Sequence, residues 1–191
     1  MATVTDVPIE ELHRYSLDAY HRLIEMGAFD EDDHVELLHG LLVEMSPKSP
    51  QHERAIRWLT RWLVNGVDDA THEVGVGCPL TLVDSEPEPD FVVLERGTPS
   101  PYHPATAALA IEVALSSLRR DLRIKAPLYA AAGVQEYWVI DLDGQRIVVH
   151  RTPGPDGYAV RDELGASDRL QATSVALPAL DIAELLAAAG E

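Results

Sequence analysis

The amino-acid sequence predicts one domain of the α/β (α+β) class. Amphipathic patterns of helical period alternate along the chain with short apolar runs that are bounded by Pro, Gly, Ser and Asp, as strands usually are. The chain has 191 residues, of which 46% are hydrophobic, and this is about enough for a single core. We therefore predict a single domain over residues 1–191.

The first third of the chain predicts a helix and a β-hairpin. In residues 16–26 the apolar positions recur at helical intervals behind Ser16, a residue type that caps helix N-termini. Residues 35–38 and 41–45 predict two short strands. The turn between them is His39-Gly40, where glycine supplies the backbone freedom that a tight turn needs.

Residues 51–65 predict a second helix with a basic stripe. The stripe consists of three arginines at steps of three and four, which are Arg54, Arg57 and Arg61. They could follow a phosphate backbone, although an exposed helix face explains them equally well. Trp58 and Trp62 on the same helix favour a core or dimer contact over base stacking.

Three apolar runs follow and predict neighbouring strands of one sheet. They lie at 73–83, 89–95 and 108–115. Residues 118–132 then have a helical pattern, in which Pro127 either kinks the helix or marks its proper start.

The last third predicts a hairpin and two smaller elements. Residues 135–142 and 145–150 read as strands around Asp143-Gly144, one of the strongest short-range turn signals. One more strand is expected near 158–162 and a short helix near 181–189.

Composition limits the classes of function. Fifteen Lys and Arg against 32 Asp and Glu give a net charge of −17, which repels a polyanion at long range and argues against a non-specific DNA coat protein. Bound divalent cations and a local basic strip would offset that repulsion at a site. The single cysteine, Cys78, allows no internal disulfide and predicts a small core residue. Without a long apolar run or a signal-peptide pattern, we expect a soluble cytoplasmic protein.

The chemistry is concentrated in Asp90, Glu112 and Lys125. Asp90 follows Pro89 at the start of one apolar run, and Glu112 lies inside the next. An ionised carboxylate within an apolar strand is costly without a cation. If the two runs pair, Asp90 and Glu112 can converge with the carbonyl of Val113 into an all-oxygen site that suits Mg²⁺ or Mn²⁺.

Each of these residues also has a structural interpretation. Glu112 could form a salt bridge with Lys125 or with one of the nearby arginines, which are Arg119, Arg120 and Arg123. Asp90 alone would be read as a turn residue, and Lys125 alone as a surface lysine. The combination nevertheless predicts metal-assisted hydrolysis of a phosphodiester.

An ordered set of motifs extends this triplet along the chain. The set consists of Glu36 with Gly40, Ser46-Pro47 followed by His52, Glu88-Pro89-Asp90, Ile111-Glu112-Val113, Asp121 with Lys125, Tyr129 with Gly133, and 136–141. In this order the chain resembles the Uma family of restriction-endonuclease-like proteins, which belongs to the PD-(D/E)xK nuclease superfamily. The resemblance spans residues 15–160, and we take these as the core and 161–191 as a C-terminal extension.

The resemblance implies a restriction-endonuclease-like mixed β-sheet flanked by helices, with Asp90 and Glu112 as metal ligands. The superfamily pattern would place a lysine at the position of Ala114, and in the Uma-like arrangement Lys125 takes that role from the following helix. Glu36 and His52 match further family positions. Glu36 could hold a second metal or its water, or be an exposed strand-end acid, and His52 could equally be a capping or surface histidine.

The leading hypothesis is a Mg²⁺- or Mn²⁺-dependent endonuclease acting on nucleic acid, with DNA favoured as substrate. Asp90 and Glu112 would bind the metal, and Lys125 would orient or help deprotonate the attacking water. The alternatives are a catalytically inactive binding or assembly module of the same fold, and a hydrolase of a small phosphodiester. A homodimer is compatible with the tryptophans but is fixed by no residue pattern.

Overall fold

A computed structural model describes residues 8, 11–30, 32–47, 49–97 and 103–190. The ends of the single domain predicted from the sequence, residues 1–7 and 191, lie outside these ranges.

The described chain contains five α-helices and ten β-strands. The helices are α1 (Leu17–Glu25), α2 (Pro50–Gly66), α3 (Leu118–Arg120), α4 (Ala126–Ala131) and α5 (Ile182–Gly190), and a π-helical turn at Asp121–Lys125 joins α3 to α4. The strands are β1 (Val35–Leu38), β2 (Leu41–Glu44), β3 (His72–Val76), β4 (Phe91–Glu95), β5 (Leu109–Ala114), β6 (Glu136–Asp141), β7 (Arg146–Gly154), β8 (Gly157–Gly165), β9 (Arg169–Leu170) and β10 (Leu180–Asp181).

A central six-stranded sheet organises the molecule. Its order is β3-β4-β5-β6-β7-β8, and every neighbouring pair is antiparallel except β5 and β6, which are parallel. The β1-β2 hairpin and the β9-β10 pair form separate two-stranded sheets. This mixed sheet with flanking helices confirms the predicted fold class.

Each face of the sheet carries its own core because side chains alternate between faces along a strand. On one face α2 and α5 cover a cluster that includes Ile111 and Trp138, and on the other the helical segment 118–131 packs its buried Tyr129 beside Tyr137. The apolar positions of α5 lie in the first cluster, and α5 packs along α2. The C-terminal residues are thus part of the main core.

The first helix and hairpin follow the sequence prediction closely. Ser16 caps α1 by accepting a hydrogen bond from the N–H of Ala19. The β1-β2 turn contains His39 and Gly40, both with positive φ. The register pairs Leu38 with Leu41 directly beside this turn.

The strand predicted at 73–83 is shorter than expected. β3 ends at Val76, and residues 77–90 form a loop before β4. Three prolines in this loop, Pro79, Pro87 and Pro89, lack the N–H that a ladder requires. Asp90 is therefore the last loop residue before β4 and not the first residue of the strand.

Pro127 lies in the first turn of α4, which begins at Ala126, so it marks the start of this helix although the helical segment as a whole begins at Leu118. The π-helical turn lies just ahead of it, and the N–H of Ala126 bonds to the carbonyl of Asp121, five residues back. This wider turn shifts the hydrogen-bond register where proline cannot donate. β8 is also longer than the strand predicted at 158–162, since it runs to Gly165.

Candidate active site

Strand register brings Asp90 to Glu112. In the antiparallel β4-β5 pair, Phe91 lies opposite Ile111, so the residue before Phe91 extends the register toward Glu112. The N–H of Val113 donates to Asp90 Oδ2 at 2.8 Å, which fixes the carboxylate at the end of β5. Asp90 and Glu112 thus line one cleft. Val113 contacts Asp90 through its N–H, and the role of its carbonyl as a metal ligand stays a prediction.

Glu112 is buried within β5 and meets two donors from the facing helical segment. Lys125 Nζ donates to its Oε1 at 2.8 Å and the Tyr129 hydroxyl donates to the same oxygen at 3.2 Å. Burial raises the pKa of Glu112 well above its ordinary value, and the charges of Asp121 and Asp90 raise it further against the attraction of Lys125. The carboxylate is poorly compensated by the protein itself.

Lys125 is held between two carboxylates. Its Nζ lies 2.8 Å from Glu112 Oε1 and 2.8 Å from Glu36 Oε2, and the residue is 2% exposed. Burial would lower the pKa of Lys125, but Glu112, Glu36 and Asp121 outweigh it and raise the pKa above the ordinary value. Lys125 is therefore an ammonium at neutral pH, and it forms the predicted salt bridge while also lying in the site.

Glu36 reaches the site from the separate β1-β2 hairpin and is 1% exposed. It is thus a buried acid and not an exposed one at a strand end. Its Oε2 accepts from the N–H of Glu88 at 3.3 Å as well as from Lys125, while its Oε1 lies 3.5 Å from Arg120 Nε. Glu36 therefore contacts the site through Lys125 and is not among the residues that line the cleft.

His52 lies in the first turn of α2, where its N–H donates to the capping Ser49 Oγ at 3.2 Å. The imidazole points at Asp90, with Nε2 3.1 Å from Oδ1 and 3.2 Å from Oδ2. His52 therefore contacts the proposed metal ligand and is not a surface histidine.

A cleft of about 50 Å³ lies over these groups. Asp90, Glu112, Lys125 and His52 all line it, together with Glu88, Ser116, Ser117, Arg120 and Asp121. Five predicted site residues thus meet in one place, with Glu36 joined to the cleft through Lys125.

The donor set fits a hard divalent cation. Within the described ranges, no group of three or more His, Cys, Asp or Glu is arranged to enclose a metal. Asp90 and Glu112 nevertheless offer carboxylate oxygens to one cleft, and both hydrogen bonds to Glu112 end on Oε1. Mg²⁺ commonly takes one or two carboxylates and keeps several waters, so two ligands suffice. A cation would also offset the burial and, secondarily, the charges of Asp121 and Asp90 that raise the pKa of Glu112.

Sequence reasoning gave Tyr129 only a place in the family motif and named Arg120 only as one possible partner of Glu112. In the structure Tyr129 donates to Glu112, and Arg120 lies beside Glu36. Tyr129 follows Lys125 by four residues and Lys125 follows Asp121 by four, so the signal was the spacing of one helical face. Asp121 accepts a hydrogen bond from Ser117 Oγ at 2.6 Å. Arg120 carried no comparable signal, since two other arginines are close by in sequence.

The arginine stripe of α2 has mixed roles. Arg54 Nε donates to the carbonyl of Ala189 at 3.0 Å and so ties α2 to α5. Arg57 pairs with Glu53 at 3.7 Å on the exposed face, and Arg61 is exposed.

The two tryptophans of α2 and the single cysteine are partly buried. Trp58 and Trp62 stack at 6.5 Å between ring centroids, and Trp62 lies 6.2 Å from the buried Trp138. They pack against the core as partly buried side chains. Cys78 is half-buried and not a full core residue.

The sheet and its cleft define a protein of the restriction-endonuclease-like class. The Uma2 family model, described as "Putative restriction endonuclease", matches residues 17–183. The chain belongs to the Uma2 family, and the resemblance seen in the sequence is confirmed.

A solved structure supports the fold. The crystal structure of a putative nuclease belonging to DUF820 from Anabaena variabilis ATCC 29413 superimposes with a TM-score of 0.76 at 16% sequence identity, covering 91% of this chain and 98% of that chain. No curated protein matches the sequence. Within the described part of the chain, no helix has the length and apolar character needed to cross a membrane.

Proposed function

We propose that this protein is a Mg²⁺- or Mn²⁺-dependent endonuclease that hydrolyses phosphodiester bonds of nucleic acid, with DNA as the first candidate substrate. The observation that supports this most is that Asp90, Glu112 and Lys125 line one cleft although they come from a loop, a strand and a helical segment. The family and the nuclease-like fold support the broader assignment as a nuclease.

Asp90 and Glu112 would hold the metal through carboxylate oxygens. Restriction-endonuclease-like proteins generally use a divalent metal. When bound, such an ion supplies a Lewis acid for the phosphate and lowers the pKa of a coordinated water. The chain's own contribution is to fix the two carboxylates, Asp90 through the Val113 N–H and Glu112 through Lys125.

Lys125 would stabilise negative charge and orient water. A lysine ammonium has three N–H donors, and Glu112 and Glu36 each accept one. The third is then available to a phosphate oxygen or to the attacking water. Because the raised pKa keeps Lys125 protonated, it acts as a donor and a positive charge and not as the base.

Glu36 and His52 would position other residues. Glu36 is engaged by Lys125, by the Glu88 N–H and by Arg120, so it serves better as an anchor for Lys125 than as a ligand of a second metal. His52 would hold the Asp90 carboxylate in the orientation that a ligand needs, as outer-sphere partners of metal sites commonly do.

The proposal is tested by incubating the purified protein with supercoiled plasmid, single-stranded DNA and RNA in Mg²⁺ or Mn²⁺, with a chelator control. Asp90→Asn and Lys125→Met keep the shape of each side chain, and Asp162→Asn on the exposed face of β8 serves as the matched control. We expect cleavage by the wild type and by the Asp162 variant alone, and none with the chelator. Cleavage that persists in the Asp90 and Lys125 variants, or an inert wild type, would refute the proposal.

A second candidate is hydrolysis of a small phosphodiester. The net charge of −17 favours it, because a short substrate needs no long-range steering toward the protein. A chromogenic phosphodiester in the same assay separates the two, since turnover of it without cleavage of any polymer would select the small substrate.

A homodimer and a cytoplasmic location stay predictions, and sedimentation velocity tests the first.

A further inference from the structure

Two grooves that differ in their charged lining adjoin the cleft. One groove, of about 600 Å³, carries the carboxylates of Asp32, Asp33 and Glu44. The other, of about 450 Å³, runs along the start of α2 toward the end of β3, and we call it the α2 groove. Both share Met45 and Glu88 with the cleft. A substrate longer than the cleft must therefore extend over one of these two surfaces.

The α2 groove has the walls of a ligand site. Ile56, Val76 and Pro89 form its apolar lining, and Val76 is 52% exposed at the end of the sheet's edge strand. Exposed apolar side chains beside a polar site often mark a surface that a ligand covers. The volume of the groove lies within the range of roughly 300–1,000 Å³ usual for small-molecule sites.

Polar side chains line the part of the α2 groove that adjoins the cleft, where the phosphate of a bound substrate would lie. Asp90 and His52 belong to both the groove and the cleft, so a ligand in the groove is next to the proposed metal ligands. Arg57 also lines the groove, and its only described ion pair is with the exposed Glu53 at 3.7 Å. Exposed pairs of this kind contribute little to stability, so the guanidinium is free to turn to a phosphate.

The second groove does not suit a phosphodiester chain. Among the described residues its lining has four carboxylates and one histidine, His34, whereas the α2 groove has three carboxylates, one histidine and Arg57. Like charges at close range oppose a polyanion. The α2 groove is therefore the less acidic of the two, and its arginine makes it the better path for a substrate strand.

We propose that the α2 groove binds the unpaired nucleoside next to the scissile phosphate, with the base against Ile56 and Val76 and the adjoining phosphate on Arg57. The preferred substrate is then single-stranded nucleic acid, DNA or RNA. This inference rests on the proposed nuclease function and deepens it by naming the substrate class.

The first test measures binding and not cleavage. A fluorescent single-stranded oligonucleotide with hydrolysis-resistant phosphorothioate linkages is titrated with protein in Mg²⁺, and its anisotropy is followed. Val76→Glu is expected to weaken binding about tenfold or more, because it places a carboxylate where the base and its adjoining phosphate would lie. Val83→Glu is the matched control, since Val83 is 98% exposed and lies outside both grooves, and it should bind as the wild type does.

A second comparison removes the base instead of the protein wall. An abasic residue placed in turn at each position of the oligonucleotide should weaken wild-type binding at one position, and Val76→Glu should make binding insensitive to that change. If Val76→Glu fails to fold, Arg57→Gln tests the subsite independently, because it removes the proposed contact with the phosphate and should also weaken binding. Equal binding of intact and abasic strands, or tighter binding of duplex than of single strand, would overturn the nucleoside subsite.

The outcomes separate this inference from the nuclease proposal. Base-dependent binding without any cleavage would keep the subsite and reject the nuclease. Cleavage of plasmid that Val76→Glu and Arg57→Gln leave unchanged would keep the nuclease and reject the subsite.

Discussion

Two buried glutamates on neighbouring strands of the sheet have opposite environments. Glu112 on β5 accepts two hydrogen bonds, both at Oε1, and its pKa is raised first of all by burial. Glu136 on β6 is 0% exposed and accepts six, from the side chains of Trp138 and Arg151 and from the N–H and hydroxyl groups of Thr173 and Ser174. Burial alone would raise the pKa of Glu136, but these donors outweigh it and lower the pKa.

The difference teaches how to separate a structural carboxylate from a functional one. A carboxylate with its lone pairs satisfied stabilises the fold and has little left to offer a ligand. A carboxylate that the protein leaves short of donors costs stability and is suited to a cation that arrives later. Glu112 and Glu136 are both buried, so what distinguishes them is the number of hydrogen bonds that each carboxylate accepts.

The largest expected effect is on cleavage, from Glu112→Gln. Activity per folded molecule should fall at least about 100-fold, because loss of even an outer-sphere partner of a metal site typically costs up to that much. The free energy of unfolding should change little, since Lys125 keeps Glu36 as its counter-charge. Plasmid cleavage and urea denaturation of the same preparation check both halves. If Glu112→Gln is much less stable while its folded fraction stays active, Glu112 is a structural residue, as Glu136 is.

Glu136→Gln should show the reverse pattern. Removing one partner of a buried charge network typically costs 3–5 kcal/mol, and we expect a loss near the lower end of that range, about 3 kcal/mol, because the side chain of Arg151 is 20% exposed and can recover solvent. Urea denaturation at neutral pH measures it. Activity per folded molecule should be retained, and a loss of activity without a loss of stability would remove the contrast between the two glutamates.

Sequence reasoning could find Asp90 and Glu112 because Asp90 directly precedes β4 and Glu112 lies in β5, and these two strands follow one another and pair. It could not distinguish Glu112 from Glu136, since each is one glutamate in an apolar run. Four of the six hydrogen bonds to Glu136 come from Thr173 and Ser174, more than 35 residues away, in a segment whose short strands have no recognisable period. The same limit applies to Glu36, whose contact with Lys125 depends on how a separate hairpin docks.

A smaller effect is expected from Glu36→Gln, which weakens the anchor of Lys125 without touching the proposed metal ligands. Activity should fall about tenfold, mainly in kcat, and Glu36→Asp should recover part of it. The chain contains only two lysines, Lys48 and Lys125, so ¹⁵N-lysine labelling gives a direct view of the ammonium. Its NMR signal should be sharp in the wild type and should broaden in Glu36→Gln, since hydrogen bonding and burial slow proton exchange.

A signal from Lys125 that is unchanged in Glu36→Gln would show that Glu112 alone holds the lysine. Lys48→Arg identifies the two signals. If the signal broadens while activity is unaffected, the anchoring contact is real but the nuclease does not depend on it.

The smallest effect is the pH dependence of the Glu136→Gln deficit. A carboxyl whose pKa is lowered in the folded protein contributes stability above its unfolded value, here the ordinary 4.5, and this contribution is lost as the pH falls through the folded value. The wild type and Glu136→Gln should therefore differ most near neutral pH and converge as the pH falls below about 4.5. Urea denaturation from pH 7 down to pH 3 measures the difference. A gap that stays constant or widens toward acid would mean that the donors around Glu136 do not favour its ionised form, and the donor count would then no longer distinguish it from Glu112.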